Sequence, residues 1–175
     1  MTKKGLTIVE LLGAIVIFGL LSSLVAIMIS FIMSSSNRIS EQSNVTNIST
    51  NLTAFLEQKY LALSPTNFET CNSSDCIMFE LEYAYVVNEA NNSIELFTYT
   101  PPQTLRIELL DGLLMIDGMN YDLKDFTLDR SSSITYQYQS QTLSVWLELI
   151  LVGQHDQTYT ITWQKQMLVT SIPSS

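Results

Sequence analysis

The feature that most constrains this chain is an apolar segment of membrane length near its start, with a carboxylate at its head. Residues 11–33 contain no charged side chain. As a helix rising 1.5 Å per residue they extend about 34 Å, which matches a hydrocarbon core of roughly 30 Å. Glu10 immediately precedes them. Because an acidic side chain well inside a spanning helix costs on the order of 3 kcal/mol, we expect Glu10 to have a partner.

Positive charge before the apolar segment predicts its orientation. Lys3 and Lys4 precede it, and no further lysine or arginine occurs until Arg38. A positive flank of this kind tends to stay in the cytoplasm. A cleaved secretory signal has an apolar region of only about 7 to 15 residues. The sequence therefore predicts a single-pass protein of the cytoplasmic membrane with an extracytoplasmic C-terminal head.

A cut between Gly5 and Leu6 would supply the counter-ion that Glu10 needs. It removes both lysines and creates an ammonium group on Leu6, four residues before Glu10. Residues four apart are neighbours on a helix, so the two charges can pair within one subunit or between staggered neighbours. A low dielectric strengthens such a pair.

Residues 3–12, Lys-Lys-Gly-Leu-Thr-Ile-Val-Glu-Leu-Leu, resemble the cleavage and methylation signature of type IV prepilins and of type II secretion and competence pseudopilins. In that family a prepilin peptidase cuts after the glycine, here Gly5, and methylates the new amino terminus, here Leu6. Glu10 matches the glutamate that is implicated in helix registry during filament assembly. The motif match covers roughly residues 3–32, and Leu6 replaces the more usual phenylalanine.

Helical periodicity continues beyond the apolar segment. From Val45 to Leu63 apolar residues recur every three to five positions between polar ones, which predicts an amphipathic helix that ends before Pro65. We therefore expect residues 1–5 to be a leader peptide, residues 6–33 a transmembrane and assembly helix, and residues 34–63 its amphipathic continuation into the head.

The remaining chain has the pattern of strands. From Ile77 onward, β-branched and aromatic residues are punctuated by turn signals, and Pro101-Pro102 is expected to interrupt them. Residues 64–175 are thus predicted to form an antiparallel, β-rich globular head. The fold class is α+β, with a long N-terminal helix packed on an antiparallel sheet. This is a pilin-like architecture, and the order of hairpins is most similar to that of J-class minor pseudopilins.

Cys71 and Cys76 are separated by four residues in the part of the chain expected to be exported. Export favours a disulfide, which would add only about 2 kcal/mol across so short a loop. Free thiols and a metal site are the alternatives. Zinc usually takes four ligands, and the chain has one histidine, His155. We expect a disulfide, no metal and no other cofactor.

Acidic residues in the head invite a calcium interpretation, but they lack the spacing of a calcium loop. Asp111 and Asp117 each precede a glycine, which is typical of tight turns. His155 lies beside Asp156, and adjacent strand residues point to opposite faces, which argues against a shared catalytic proton. Since the sequence has no nucleophile motif either, we expect no enzyme.

The net charge limits the classes of molecule that this protein is expected to bind. It is −9, and loss of Lys3 and Lys4 leaves 6 basic against 17 acidic residues, or −11. Such a surface repels phosphate backbones, so direct binding of nucleic acid is not expected. The basic residues of the sheet region are scattered in sequence, and a patch assembled by folding is the alternative: Arg106, Lys124, Arg130 and Lys165.

The resemblance implies a structural subunit, a minor pilin or pseudopilin of a filament for secretion, DNA uptake, adhesion or motility. Its partners would be other pilin or pseudopilin subunits, the prepilin peptidase, an inner-membrane assembly platform and the membrane. The alternative is a single-span, membrane-anchored extracytoplasmic binding module that does not polymerise. Cleavage after Gly5 separates the two.

Overall fold

The computed structural model describes residues 8–71, 75–153 and 157–170. The chain divides into two compact units, Met1–Val45 and Thr46–Ser175. Within the described residues, one helix is followed by nine strands: α1 (Ile8–Leu63), β1 (Asn67–Thr70), β2 (Cys76–Asn88), β3 (Ser93–Leu110), β4 (Leu113–Ile116), β5 (Met119–Asn120), β6 (Thr127–Leu128), β7 (Ser133–Gln139), β8 (Thr142–Val152) and β9 (Thr158–Leu168).

The predicted α+β class is confirmed, and α1 ends at the predicted residue, Leu63. Ser64 follows with a φ of +47°, and its N–H donates to the Tyr60 carbonyl at 2.9 Å. A left-handed residue at this position satisfies a carbonyl of the last turn and ends the helix. Pro65 then keeps the chain out of the helical conformation.

The C-terminal part of α1 is amphipathic, as predicted. Its buried side chains recur every three or four residues, the spacing of one helix face. From Ile48 onward they are Ile48, Leu52, Leu56, Tyr60 and Leu63.

The first sheet has five antiparallel strands in the order β1-β2-β3-β4-β5. β3 runs through Pro101-Pro102, so the prediction that these prolines end a strand was wrong. They do break the ladder, because proline has no N–H to donate. Leu81 lies opposite Gln103, whereas Tyr83 lies opposite Thr98, so the residues between Thr98 and Gln103 form an irregularity in β3.

The second sheet is built around β8, which pairs with β9 along its whole length. β6 and β7 pair with successive parts of the other edge of β8. The sequence predicted neither β6 nor β1, because each contains a single apolar residue and therefore shows no periodicity.

The core of the head lies where α1 and the two sheets meet. The Tyr60 ring contacts Phe79 of β2 at 5.4 Å and Trp163 of β9 at 6.4 Å, both edge to face. Side chains alternate between buried and partly exposed along β8, so one face of that strand is turned to the core. After β9, the Thr170 N–H donates to the Thr66 carbonyl at 3.0 Å and thereby joins the end of the second sheet to the start of the first.

Candidate assembly helix and head surfaces

The first part of α1 carries apolar side chains on every face. All residues from Ile8 to Ser34 are exposed, including Phe18 and Phe31 at 73% and 72%. A helix that is apolar all round requires a lipid or protein environment. By length and composition this segment can cross a membrane once.

Glu10 lies in the first turn of the described helix and is exposed. Gly5 and Leu6, the predicted cleavage and methylation residues, lie outside the described residues, as does the whole leader. Glu10 is therefore shown to be helical, and its pairing with the amino terminus of Leu6 stays a prediction.

Small residues leave gaps on the surface of this helix. A Cβ atom built on Gly13 or Gly19 would meet no atom within 4 Å beyond the local helix backbone. The Ser23 hydroxyl donates to the Leu20 carbonyl at 2.8 Å, so its polar atom is satisfied inside the helix. Such positions allow the backbone of a second helix to approach closely in a membrane.

A polar cluster connects the C-terminal part of α1 to β9. Lys165 Nζ lies 2.6 Å from Glu57 Oε2, and Trp163 Nε1 donates to Glu57 Oε1 at 3.1 Å. Lys165 also lies 4.7 Å from the centre of the Tyr60 ring. One carboxylate thus satisfies a cation and an indole N–H that β9 presents towards the helix. The sequence pattern did not reveal this cluster because its partners are more than 100 residues apart.

A second contact joins α1 to the turn between β4 and β5. Lys59 Nζ lies 3.0 Å from Asp117 Oδ2. Asp117 Oδ1 accepts the Arg106 N–H at 3.1 Å, and the Asp117 N–H donates to the Arg106 carbonyl. The helix therefore has polar contacts to both sheets.

The disulfide between Cys71 and Cys76 is confirmed, with the two Cα atoms 5.5 Å apart. Cys76 is buried and begins β2. The bond links the residue after β1 to the first residue of β2.

The Asp-Gly pairs form turns, as predicted. Asp111 and Asp117 have φ of +50° and +52°, and the glycine after each has a φ of +76°. Two successive left-handed residues are what a tight hairpin turn requires. No group of three potential metal ligands is found in the described parts of the chain, and His155 and Asp156 lie outside them.

Two of the four basic residues of the sheet region are engaged by carboxylates. Arg106 pairs with Glu108 at 2.9 Å, and Lys165 pairs with Glu57. Lys124 and Arg130 lie in connections on either side of β6. The four residues are therefore divided between ion pairs and loops.

Comparisons of this chain with protein-family models, with curated proteins and with solved structures find no match.

Proposed function

We propose that this chain is a structural subunit of a type IV filament machine, a minor pilin or pseudopilin assembled through its N-terminal helix. The observation that carries the proposal is α1 itself. Over one continuous helix, a segment that is apolar and exposed on every face gives way to a segment whose buried face packs on β-sheets. The first segment can lie in lipid before assembly and in a bundle of identical helices after it. The second segment is the one that packs on the sheets of the head.

The proposed mechanism is assembly rather than catalysis. A prepilin peptidase removes residues 1–5 after Gly5 and methylates Leu6, and an inner-membrane assembly platform moves the helix from lipid into the filament. Glu10 is neutralised by the amino terminus of a neighbouring subunit. Because an unpaired carboxylate is costly in hydrocarbon, this pairing favours one axial register between helices.

The proposed location is the cytoplasmic membrane before assembly, with the head on the extracytoplasmic side. The filament would serve protein secretion, DNA uptake, or adhesion and motility. The charge of −11 after leader removal makes the head itself a poor ligand for nucleic acid, so its contacts are expected to be with other subunits.

Replacement of Gly5 by tryptophan tests the proposal. A bulky residue at the cleavage position should block processing, so intact-mass measurement of the membrane-extracted chain should find the leader retained. The control is Gly13→Trp, which places the same side chain in open space within α1 and should leave cleavage intact. A native chain that functions with its leader retained would instead support the anchored, non-polymerising module.

A further inference from the structure

The far ends of β2 and β3 form a two-stranded arm, here defined as residues 84–98, which includes their connecting turn. Its register runs from Ala84 opposite Phe97 to Asn88 opposite Ser93. No residue from Ala84 to Thr104 is buried. A two-stranded hairpin alone in water is marginally stable, so this arm lacks the covering layer that strands usually need.

Both faces of the arm expose apolar side chains. One face carries only apolar and aromatic side chains beyond Tyr83, with Tyr85 opposite Leu96 and Val87 opposite Ile94. Tyr85 is 63% exposed and Ile94 is 73% exposed. The other face carries Val86 and Phe97, and the Phe97 ring lies 5.0 Å from that of Tyr99 just beyond the arm. Exposed apolar clusters of this kind mark interaction sites.

The outer edge of β2 is open along the arm. β1 pairs with β2 only between Ile77 and Glu80, and in the described part of the chain no strand pairs with the outer edge from Ala84 to Asn88. This edge, Ala-Tyr-Val-Val-Asn, has no proline, glycine or charge. Natural proteins usually protect an exposed edge with such residues. The edge of β3 along the arm, from Ser93 to Thr98, is also unpaired in the described part of the chain, because β4 pairs only with Ile107–Leu110. Unlike the edge of β2, it carries a charge, that of Glu95, and Pro101-Pro102 follows at its base.

A carboxylate held by hydrogen bonds lies on the neighbouring strand, β3, opposite Val86 of this edge. Glu95 Oε1 accepts from Asn88 Nδ2 at 2.8 Å and from Asn91 Nδ2 at 3.4 Å, and the Ser93 hydroxyl lies 3.1 Å away. The hydrogen bond from Asn88, followed by those from Asn91 and Ser93, lowers the pKa of Glu95 and keeps it ionised. Oε2 accepts no hydrogen bond from the described residues, so one oxygen stays available to a cation.

We propose that the outer edge of β2 from Ala84 to Asn88 pairs with an extended strand of a different polypeptide, which carries a lysine or arginine that reaches Glu95. Strand addition to an open edge uses main-chain hydrogen bonds for affinity and side-chain pockets for specificity. Glu95 is opposite Val86, so it lies about 10 Å from the added strand, two strand spacings away. A long basic side chain spans that distance along the face that also carries Phe97.

The distribution of charge favours binding of a different polypeptide at this edge over binding of a second copy of this chain. Residues 84–104 contain two carboxylates, Glu89 and Glu95, and no cation. On the described strands, lysine and arginine occur only at Arg106 and Lys165, and both are held in ion pairs. A second copy therefore offers no cationic strand edge to Glu95.

Charge and polarity also favour a protein strand over a lipid surface. The tip of the arm is Asn-Glu-Ala-Asn-Asn-Ser, residues 88–93, so its leading end is polar and carries a carboxylate. Insertion into lipid would have to desolvate Glu89 and Glu95, and anionic headgroups repel both.

The test uses the full chain in detergent micelles and a fluorescein-labelled peptide, Thr-Val-Thr-Val-Lys-Val-Thr-Val-Thr, followed by fluorescence anisotropy. Two matched peptides isolate the two recognition elements. One carries glutamate in place of the lysine, and the other is N-methylated at alternate residues and cannot complete the ladder. We expect each to bind at least tenfold more weakly than the lysine peptide.

Glu95→Gln should weaken binding of the lysine peptide by about tenfold. It should not weaken binding of the glutamate peptide. Glu148→Gln, the same charge change at an exposed position of β8, is the control and should change nothing. Equal binding of the lysine and N-methylated peptides, or an unaffected Glu95→Gln variant, would overturn the proposal. Because the N-methylated peptide alters the ligand and not the protein, misfolding of a variant does not confound this result.

The other occupants give different outcomes. Concentration-dependent dimerisation in sedimentation equilibrium that Val86→Lys abolishes would identify a second copy instead. A blue shift of an environment-sensitive dye at Asn91→Cys, on reconstitution into nanodiscs with anionic lipid, would identify the membrane. Either result would overturn the proposal. Docking at this edge requires neither cleavage after Gly5 nor polymerisation, so its failure leaves the proposed function intact.

Discussion

Loss of the charge on Glu57 should loosen α1 from the head by a measurable amount. The Glu57 and Lys165 side chains are 34% and 22% exposed, so water screens their contact only in part. A hydrogen bond to a charged group contributes about 1.5 to 3 kcal/mol when it is not fully screened. Glu57→Gln keeps an oxygen for Trp163 Nε1 and removes only the charge, so we expect it to lower the free energy of unfolding by about 1 to 2 kcal/mol.

The pairwise part of this energy follows from a double-mutant cycle with Lys165→Met, which keeps much of the aliphatic side chain. Each single change leaves the other charge without its partner, whereas the double variant removes both charges. We therefore expect the double variant to be less destabilised than the sum of the single variants, with a coupling energy of about 1 kcal/mol.

Urea unfolding of the full chain in detergent micelles is the assay, with tryptophan fluorescence as the signal because Trp163 lies within the cluster. Urea is uncharged and does not screen the pair, unlike guanidinium. The control Glu148→Gln should stay within about 0.5 kcal/mol of the wild type, as exposed substitutions usually do. A coupling energy below about 0.3 kcal/mol would refute the reasoning and show that the Glu57–Lys165 pair does not hold the helix to β9.

Two further predictions concern other carboxylates. Glu10→Leu should leave insertion and cleavage unchanged but lower incorporation into sheared filaments at least tenfold, because a charge pair 4 Å apart at an effective dielectric constant of 20 is worth about 4 kcal/mol before desolvation. Immunoblots of the sheared fraction measure this against Glu41→Gln, and equal incorporation would remove the pairing argument. Asn88→Ala should raise the pKa of Glu95, since the Asn88 amide is the largest cause of its lowering. In the wild type, the pKa of Glu95 is lower in the folded arm than in the unfolded chain, so ionised Glu95 stabilises the arm at pH values above the unfolded pKa. This contribution is lost as the pH falls through the folded pKa. The carboxyl chemical shift of Glu95, followed by nuclear magnetic resonance, reports its titration in the wild type and in Asn88→Ala. An unchanged pKa in the variant would contradict the geometry of the tip.

Local pattern was sufficient for several elements. Apolar residues that recur every three to five positions from Val45 to Leu63 predicted the amphipathic part of α1, and Pro65 predicted its end at Leu63. Asp111 and Asp117 before glycine predicted left-handed turns, which both residues adopt. These features depend on neighbours within a few positions, where steric and hydrogen-bonding preferences act regardless of the remaining fold.

Other features could not be predicted in this way. Glu57 and Lys165 meet only because α1 packs beside β9, and nothing near either residue indicates the other. Pro101-Pro102 was expected to end a strand, but the irregularity in β3 absorbs it. Long-range packing outweighed a local preference there.

The exposure of the arm could not be predicted from local pattern either. Apolar residues on both faces, as in Tyr85-Val86-Val87, are typical of strands covered on both sides. Only the arrangement of all the strands shows that no described element covers these faces and that the edge of β2 is open.

The sequence by itself determined the membrane-length apolar segment, the position of Glu10 before it and the helical periodicity that follows, because hydropathy and spacing are properties of the chain in one dimension. The tertiary structure decided how the strands divide into two sheets, which carboxylate holds Lys165 and which strand edge stays open. These outcomes depend on pairings between distant residues, whose free energies are settled only when the whole head packs around one core.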